Sequence, residues 1–539
     1  MACTVKRILC FLLISVLLTG CASGAAKTEK ALEAISALGT SPDDNYRTWY
    51  EIFVYSYCDS DGDGIGDLNG VTQKLPELQA LGVTGIWLMP IHPSTTYHKY
   101  NVSDYYAIDP AYGTMEDFEN LLAACEDAGI KLIMDLVVNH SGSEHAWFKE
   151  AVSYLQSLKA GQTPDAAQCQ YLDYYYFKPT AEVAGGWSTV PGTPYSYESK
   201  FSYDMPDLNL GNELVRQEIR DIMAFWLEKG VAGFRLDAAK EFYSGSASKN
   251  IEVLSWLQET AESIKPDVYM VAEVWDAFAT ITEYYESGIT SIFDYPFGNS
   301  DGKIIDVLRG AGNPAMVSTY ATALEKADKA YLGSNGNYID APFLSNHDVG
   351  RIAGFVSGDE AKIKLAGAMN VFMSGSVFIY YGEEIGMPGS GNDPSKRAPM
   401  YWNQNRDKGT TDLPPECVLP KEYPLGSLEE QKKDSDSVYN YYRQAIAIRN
   451  ALPVISHGRT TAEVALNQGC VSAQRKTWND ERCIILMNID AETAKVDLSH
   501  YSDWELCASL SANGKNVKLN GTELTLPAYG VAVLIPKAV

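Results

Sequence analysis

Gly233-Phe234-Arg235-Leu236-Asp237 is a short apolar run that ends in an acid, and the chain repeats that shape. Val271-Ala272-Glu273-Val274-Trp275 and Phe343-Leu344-Ser345-Asn346-His347-Asp348 follow it, and Leu132-Ile133-Met134-Asp135-Leu136-Val137-Val138-Asn139-His140 precedes it. An acid at the carboxyl end of a buried strand is poorly placed for stability and well placed for chemistry. In (β/α)8 barrels that end of the strands carries the active site. One such run is most simply a strand that stops in a polar turn. Several in order, separated by helix-length segments, point to an enzyme that works with carboxylates.

Working outward, strand-like runs at 52–57, 85–89, 132–138, 233–236, 268–274, 291–293, 342–345 and 377–381 alternate with helical patterns. Apolar residues recur at three- and four-residue steps over 116–128, 212–229 and 251–263. Eight strands in that alternation predict an α/β fold, a parallel (β/α)8 barrel. The stretch between His140 and Gly233 is too long for one helical crossover, and 141–205 is rich in Tyr, Gly and Pro. It reads as a domain inserted after the third strand. The barrel is then expected over 45–140 and 206–452. From 453 to 539 short β-rich runs, some parted by turn pairs such as Asn513-Gly514 and Asn520-Gly521, predict a C-terminal antiparallel β-sandwich.

The N-terminus reads as an export signal. Lys6 and Arg7 precede an apolar run from Ile8 to Leu18, followed by Leu18-Thr19-Gly20-Cys21. That ending resembles a bacterial lipobox, which implies cleavage after residue 20, lipid on Cys21 and a lipid-anchored protein at the outer face of the cell membrane. Residues 21–44, with Ala, Ser, Gly, Lys and Glu, read as a tether. A formal charge of −26 disfavours nucleic acid and anionic substrates and fits a neutral ligand. The cysteines after Cys21 are odd in number and scattered, which suggests neither a disulfide framework nor a zinc site.

The four motifs, their order, the insertion and the terminal β-domain resemble glycoside hydrolase family 13, the α-amylase family, over roughly residues 45 to 539. The resemblance implies hydrolysis of glycosidic bonds with retention, which needs one carboxylate as nucleophile and one protonated carboxyl as acid, about 5–5.5 Å apart. It assigns these roles to Asp237 and Glu273, and to Asp348 that of a third carboxylate binding sugar hydroxyls and favouring a distorted ring. Arg235, two residues before Asp237 on a strand, points the same way and keeps that acid ionised. Glu273, among apolar neighbours, must hold a proton near neutral pH.

By the same resemblance His140 and His347 bind hydroxyls of one sugar, with Asp135 in support. Tyr97-His98-Lys99-Tyr100 is similar to the segment whose tyrosine stacks on the sugar beside the cleaved bond, here Tyr100 with His98 nearby. Lys240 matches a lysine for the leaving-side sugars, although Glu241 stands where a histidine usually follows. Arg351 and Arg397 complete the expected substrate contacts. A metal loop is legible directly. Asp59-Ser60-Asp61-Gly62-Asp63-Gly64-Ile65-Gly66-Asp67 puts carboxylates at positions 1, 3, 5 and 9 of an EF-hand-like loop, with the Ile65 carbonyl at 7. Gly70 stands at position 12, so the bidentate glutamate is absent. The resemblance makes the ion calcium, and implies a second calcium site at Asn139.

Met205-Pro206-Asp207-Leu208-Asn209 is intermediate between the α-amylase and oligo-1,6-glucosidase forms of a family marker. Arg397-Ala398-Pro399-Met400-Tyr401-Trp402 leans to the glucosidases, and Lys240 to the amylases. The expectation is a monomeric enzyme cleaving internal α-1,4 bonds of starch, maltodextrins and other maltooligosaccharides. An exo-acting α-glucosidase, oligo-1,6-glucosidase or transglycosylase is the alternative. A starch-binding surface lipoprotein with a dead barrel is the reading from another class. It has no need for Asp237, Glu273 and Asp348 together.

Overall fold

The computed structural model describes residues 24–419 and 423–537, so the export signal and Cys21 lie outside the described residues. Two compact units divide the chain: Met1–Glu51 with Pro76–Thr84 and Asp294–Val539, and Ile52–Leu75 with Gly85–Phe293.

In the second unit, parallel strands pair in the order Gly85–Leu88, Lys131–Leu136, Gly233–Leu236, Tyr269–Ala272 and Ser291–Ile292. Gly85–Leu88, Gly233–Leu236 and Tyr269–Ala272 are buried at every position, as strands covered on both faces must be. Register places Asp135 opposite Arg235, and Arg235 opposite Val271. Only glycine fits at 233, because a Cβ there would lie 1.8 Å from the Tyr269 carbonyl oxygen. Helix Met115–Asp127 starts at a capping box between Thr114 and Asp117 and buries Phe118, Leu121 and Cys125. Helix Glu213–Glu228, capped by Asn212, buries Val215, Ile219, Ile222, Met223, Trp226 and Leu227.

The insertion leaves and returns at one point. His140 and Asp207 form an antiparallel bridge, and the Leu208 N–H donates to the Asn139 carbonyl at 2.9 Å. Inside it Phe177–Pro179, Tyr195–Glu198 and Trp187–Thr189 make a small antiparallel sheet.

In the first unit, Thr48–Ile52 pairs in parallel with Val377–Tyr380. At the expected strand 342–345 no regular strand forms, and Pro342 has no N–H to give to a ladder. Carbonyls at its start still serve neighbouring segments: Asp294 N–H donates to Ala341 O, just before it, at 3.0 Å and Phe378 N–H to Pro342 O at 2.8 Å. Past residue 458, two antiparallel sheets form. One is ordered Arg459–Ala462, Val471–Trp478, Glu481–Asn488, Val531–Pro536 and Trp504–Leu510; the other Ala494–Asp497, Glu523–Leu526 and Lys518–Asn520. Ile484, Leu486, Trp504, Leu524, Leu526 and Leu534 share one apolar core, the sandwich expected from the sequence.

The tether needs correction. Residues 24–36 form a helix, Gly24–Ser36, that packs on helix Val438–Ala451. Thr28 is buried, and Glu29 meets Arg443 at 2.8 Å. Alanine, lysine and glutamate are good helix formers, and docking stabilises what would be marginal alone. Among the described residues no helix is long and apolar enough to cross a membrane, and no cysteine is paired.

Candidate active site

The second unit gathers its carboxylates on one guanidinium. Arg235, wholly buried, sets Nη1 2.5 Å from Asp135 Oδ1 and 2.7 Å from Asp237 Oδ1, and Nη2 3.0 Å from Glu273 Oε2. Each contact follows from the strands. Asp135 is the cross-strand neighbour of Arg235, Asp237 projects from the same side two residues on, and Glu273 ends the adjoining strand. Burial alone would lower the guanidinium's pKa; Asp135, Tyr100, Glu273 and Asp237 raise it well above its ordinary value, so it is always charged. The other oxygen of Asp135 accepts from Trp87 Nε1 at 2.9 Å. Both oxygens of Asp135 are therefore engaged within the protein.

Glu273 has a second partner that sequence reasoning missed. Ala238, next to Asp237, takes φ +47 and turns its N–H onto Glu273 Oε2 at 2.9 Å. Tyr100, also buried, accepts from Arg235 Nη1 through its hydroxyl at 3.3 Å. His98 lies beside it, ring centroids 5.9 Å apart, and its Nδ1 accepts from the Tyr100 N–H at 3.2 Å. His140 is buried deeply enough that its pKa falls to about 4, which keeps the ring neutral. Its Nε2 makes no well-aligned hydrogen bond, with only the Tyr100 main chain close to the ring, and a sugar hydroxyl would satisfy it. Half-exposed Phe201, from the insertion, stands 5.6 Å from the His140 ring. Lys240, partly exposed, donates to the Trp275 carbonyl at 3.0 Å and to Asp276 at 3.1 Å, which holds the turn after Glu273.

The first unit carries Asp348. Its carboxylate meets Arg397 Nη2 at 2.8 Å and His347 Nε2 at 3.0 Å. His347 Nδ1 lies 2.6 Å from Glu51 Oε1. Burial would lower the His347 pKa, but Asp348 and Glu51 push it up to about 9, so both ring nitrogens carry protons at neutral pH. His347 and Arg397, expected on the sugar, both contact Asp348. Glu51 had a readable signal: an acid inside the buried run Trp49-Tyr50-Glu51-Ile52.

Arg351 also lies in the first unit. It is buried, with its guanidinium 4.3 Å from the Tyr380 ring centroid and 4.7 Å from that of Tyr381. It donates to the Tyr381 carbonyl at 2.5 Å and the Lys396 carbonyl at 3.0 Å. Those contacts tie the segments at Tyr381 and Lys396 together, and Nη2 is left without a hydrogen-bond partner.

At the metal loop, oxygens of Asp59, Asp61 and Asp67 lie within 4.8 Å of one another, the only such group of three among the described residues. Three oxygens at that spacing fit a hard cation. Asp63 lies outside the group; its Oδ1 is turned back to the Ile65 N–H at 2.7 Å. At Asn139, whose Nδ2 lies 3.5 Å from Asp207 Oδ1, no group of three His, Cys, Asp or Glu side chains comes together among the described residues. Asp207 is pushed up to about 7 by burial, and the nearby Lys200 ammonium sits 3.3 Å from Glu241.

Comparison with known proteins decides the family. Residues 51–458 match the family described as "Alpha amylase, catalytic domain". This chain belongs to glycoside hydrolase family 13. It is 39% identical to Alpha-amylase 3 of Dictyoglomus thermophilum over 82% of its own length and 84% of that protein. It is 28% identical to an oligo-1,6-glucosidase of Parageobacillus thermoglucosidasius over 82% and 90%. Among solved structures, Eubacterium rectale Amy13B superposes with a TM-score of 0.89 at 43% identity, covering 93% of this chain and 97% of that one. The chain is a glycoside hydrolase with the (β/α)8 barrel, inserted domain and C-terminal β-sandwich of its family.

Proposed function

We propose that this family 13 enzyme cleaves internal α-1,4 bonds of starch-like glucans and maltooligosaccharides through a covalent glycosyl-enzyme. The observation that supports it is the shared guanidinium: Arg235 contacts Asp237 through Nη1 and Glu273 through Nη2. A fixed cation keeps Asp237 ionised for attack, and Glu273 has a separate anchor in the Ala238 N–H. Asp237 attacks the anomeric carbon while Glu273 gives its proton to the glycosidic oxygen, and that C–O bond breaks. Glu273 then takes a proton from water, whose oxygen attacks the same carbon and frees Asp237. Tyr100 and His140 bind the sugar; in the other unit Asp348, which contacts His347 and Arg397, takes the hydroxyl-binding role that the family resemblance gives it. Calcium at Asp59, Asp61 and Asp67 is assigned to stability; when bound it supplies charge to a loop of acids. Export and a lipid on Cys21 place the enzyme at the cell surface.

The relatives named oligo-1,6-glucosidases and the segment Arg397–Trp402 favour the second reading, an exo-acting glucosidase. The products formed from long amylose over time separate the two. Early mixed oligosaccharides support internal cleavage, and glucose alone from the first minutes refutes it.

A further inference from the structure

No step of the proposed reaction uses Lys99, yet it is the most unusual residue in Tyr97-His98-Lys99-Tyr100. Its φ is +66, in the left-handed region that a glycine enters freely and a side chain enters at a cost. Its ammonium is also buried, which is unfavourable unless paired. The partner is Asp109, with Nζ 2.6 Å from Oδ2, and the same ammonium lies 5.3 Å from the Tyr112 ring centroid. Asp109 is fixed in turn. Its oxygens accept from the Ser94 N–H at 3.3 Å and the Ala111 N–H at 2.9 Å, and its own N–H donates to Ile91 O at 2.8 Å. Ile91 closely follows the strand Gly85–Leu88, so this anchor belongs to the framework, whereas 96–101 is loop.

Two adverse features at one position persist where the surroundings over-determine them, and such positions cluster at functional sites. The next residue is Tyr100, whose hydroxyl meets the guanidinium that binds Asp237 and Glu273. Backbone direction at 99 decides where that ring stands. We propose that Lys99 is a positioning residue: its ion pair with Asp109 holds the left-handed turn that sets Tyr100 against Arg235. A glycine would accept the same backbone, but it would leave the turn free to take others. The inference rests on the reading of Tyr100 as the sugar platform.

The test is a double-mutant cycle on maltoheptaose hydrolysis, with melting temperatures recorded for each protein. Lys99→Gly keeps the backbone geometry accessible and removes the cation; it should lower kcat/KM by about tenfold or more, since small misplacements near the chemistry are costly. Lys99→Arg, which can still reach Asp109, should recover most of the loss. In a Tyr100→Ala background Lys99→Gly should cost less than about twofold, because residues acting through one another are not additive. Wild-type kcat/KM in Lys99→Gly, or an undiminished cost of Lys99→Gly in the Tyr100→Ala background, overturns the proposal while leaving Tyr100 as the platform. A Tyr100→Ala enzyme with wild-type kinetics removes the platform reading, and the pin with it. If Lys99→Gly does not fold, Lys99→Gln with Asp109→Asn, a neutral hydrogen-bonding pair, enters the same cycle and is read the same way.

Discussion

The N–H of Ala238 points at Glu273 Oε2 from a distance of 2.9 Å, and Ala238 itself adopts φ +47. The residue after Asp237 thus orients Glu273, and the two carboxyl groups are coupled through the main chain as well as through Arg235. A left-handed alanine costs about 1–2 kcal/mol, which glycine avoids and a β-branched residue makes worse. Ala238→Gly is expected to keep kcat within about threefold, whereas Ala238→Val should lower it by about tenfold or more. Steady-state kinetics on maltooligosaccharides check this, and equal kcat in the two variants would show that the strained turn has no role.

Asp237→Asn is expected to abolish turnover while glucan binding survives, since it removes the nucleophile and little volume. Glu273→Gln should cost about 10²–10⁴ in kcat on natural substrates. Much less should be lost on an aryl α-glucoside with an acidic phenol, which leaves without help. A comparable loss on both substrates would show that Glu273 is not the proton donor.

The pH response should follow His347. Its folded pKa of about 9 lies above the ordinary 6.5, raised by Asp348 and Glu51 against burial. The stabilisation is therefore fully present below about pH 6.5 and is lost as pH rises from there to about 9. Melting temperatures across that window should fall less steeply for His347→Asn than for the parent. Parallel curves for the two proteins would place the proton elsewhere, for instance on Glu383, which burial pushes up to about 8.

How much of this was legible in the sequence depends on whether a contact is local. Arg235 and Asp237 lie two residues apart on one strand, so their shared direction could be read from strand geometry alone. That Arg235 also holds Asp135 needs the register of two strands, and the Glu51–His347 pair spans nearly the whole barrel sequence. Motif resemblance assigns Arg351, His347 and Arg397 to the substrate; that Arg351 donates to the Tyr381 and Lys396 carbonyls, and that His347 and Arg397 meet Asp348, needs the fold. Helix Gly24–Ser36 was missed because its small and charged residues read as a linker, and only docking on Val438–Ala451 makes them a helix.

Calcium removal should act on stability. A ligand held only by the folded state adds about 2.7 kcal/mol at a hundredfold excess over its Kd. Chelation is expected to lower the melting temperature of the parent, and Asp61→Ala should lose much of that response. Asp61 is the cleanest choice, because Asp59 and Asp67 also accept several backbone N–H groups of the loop. An unchanged chelator effect in Asp61→Ala would move the ion away from this loop.

The last prediction concerns location. Two residues, Ala22 and Ser23, separate Cys21 from the start of the docked helix at Gly24, a reach of about 10 Å at full extension. A lipid on Cys21 would therefore hold the folded body directly against the membrane. One acyl chain binds membranes weakly and reversibly, whereas several on one cysteine anchor firmly. The parent protein should enter the detergent phase on phase separation, and Cys21→Ser should stay aqueous with its hydrolytic activity intact. Lengthening the spacer between Ser23 and Gly24 should leave that partitioning unchanged, because the anchor and not the helix carries it. Aqueous partitioning of both the parent and Cys21→Ser would exclude the lipid.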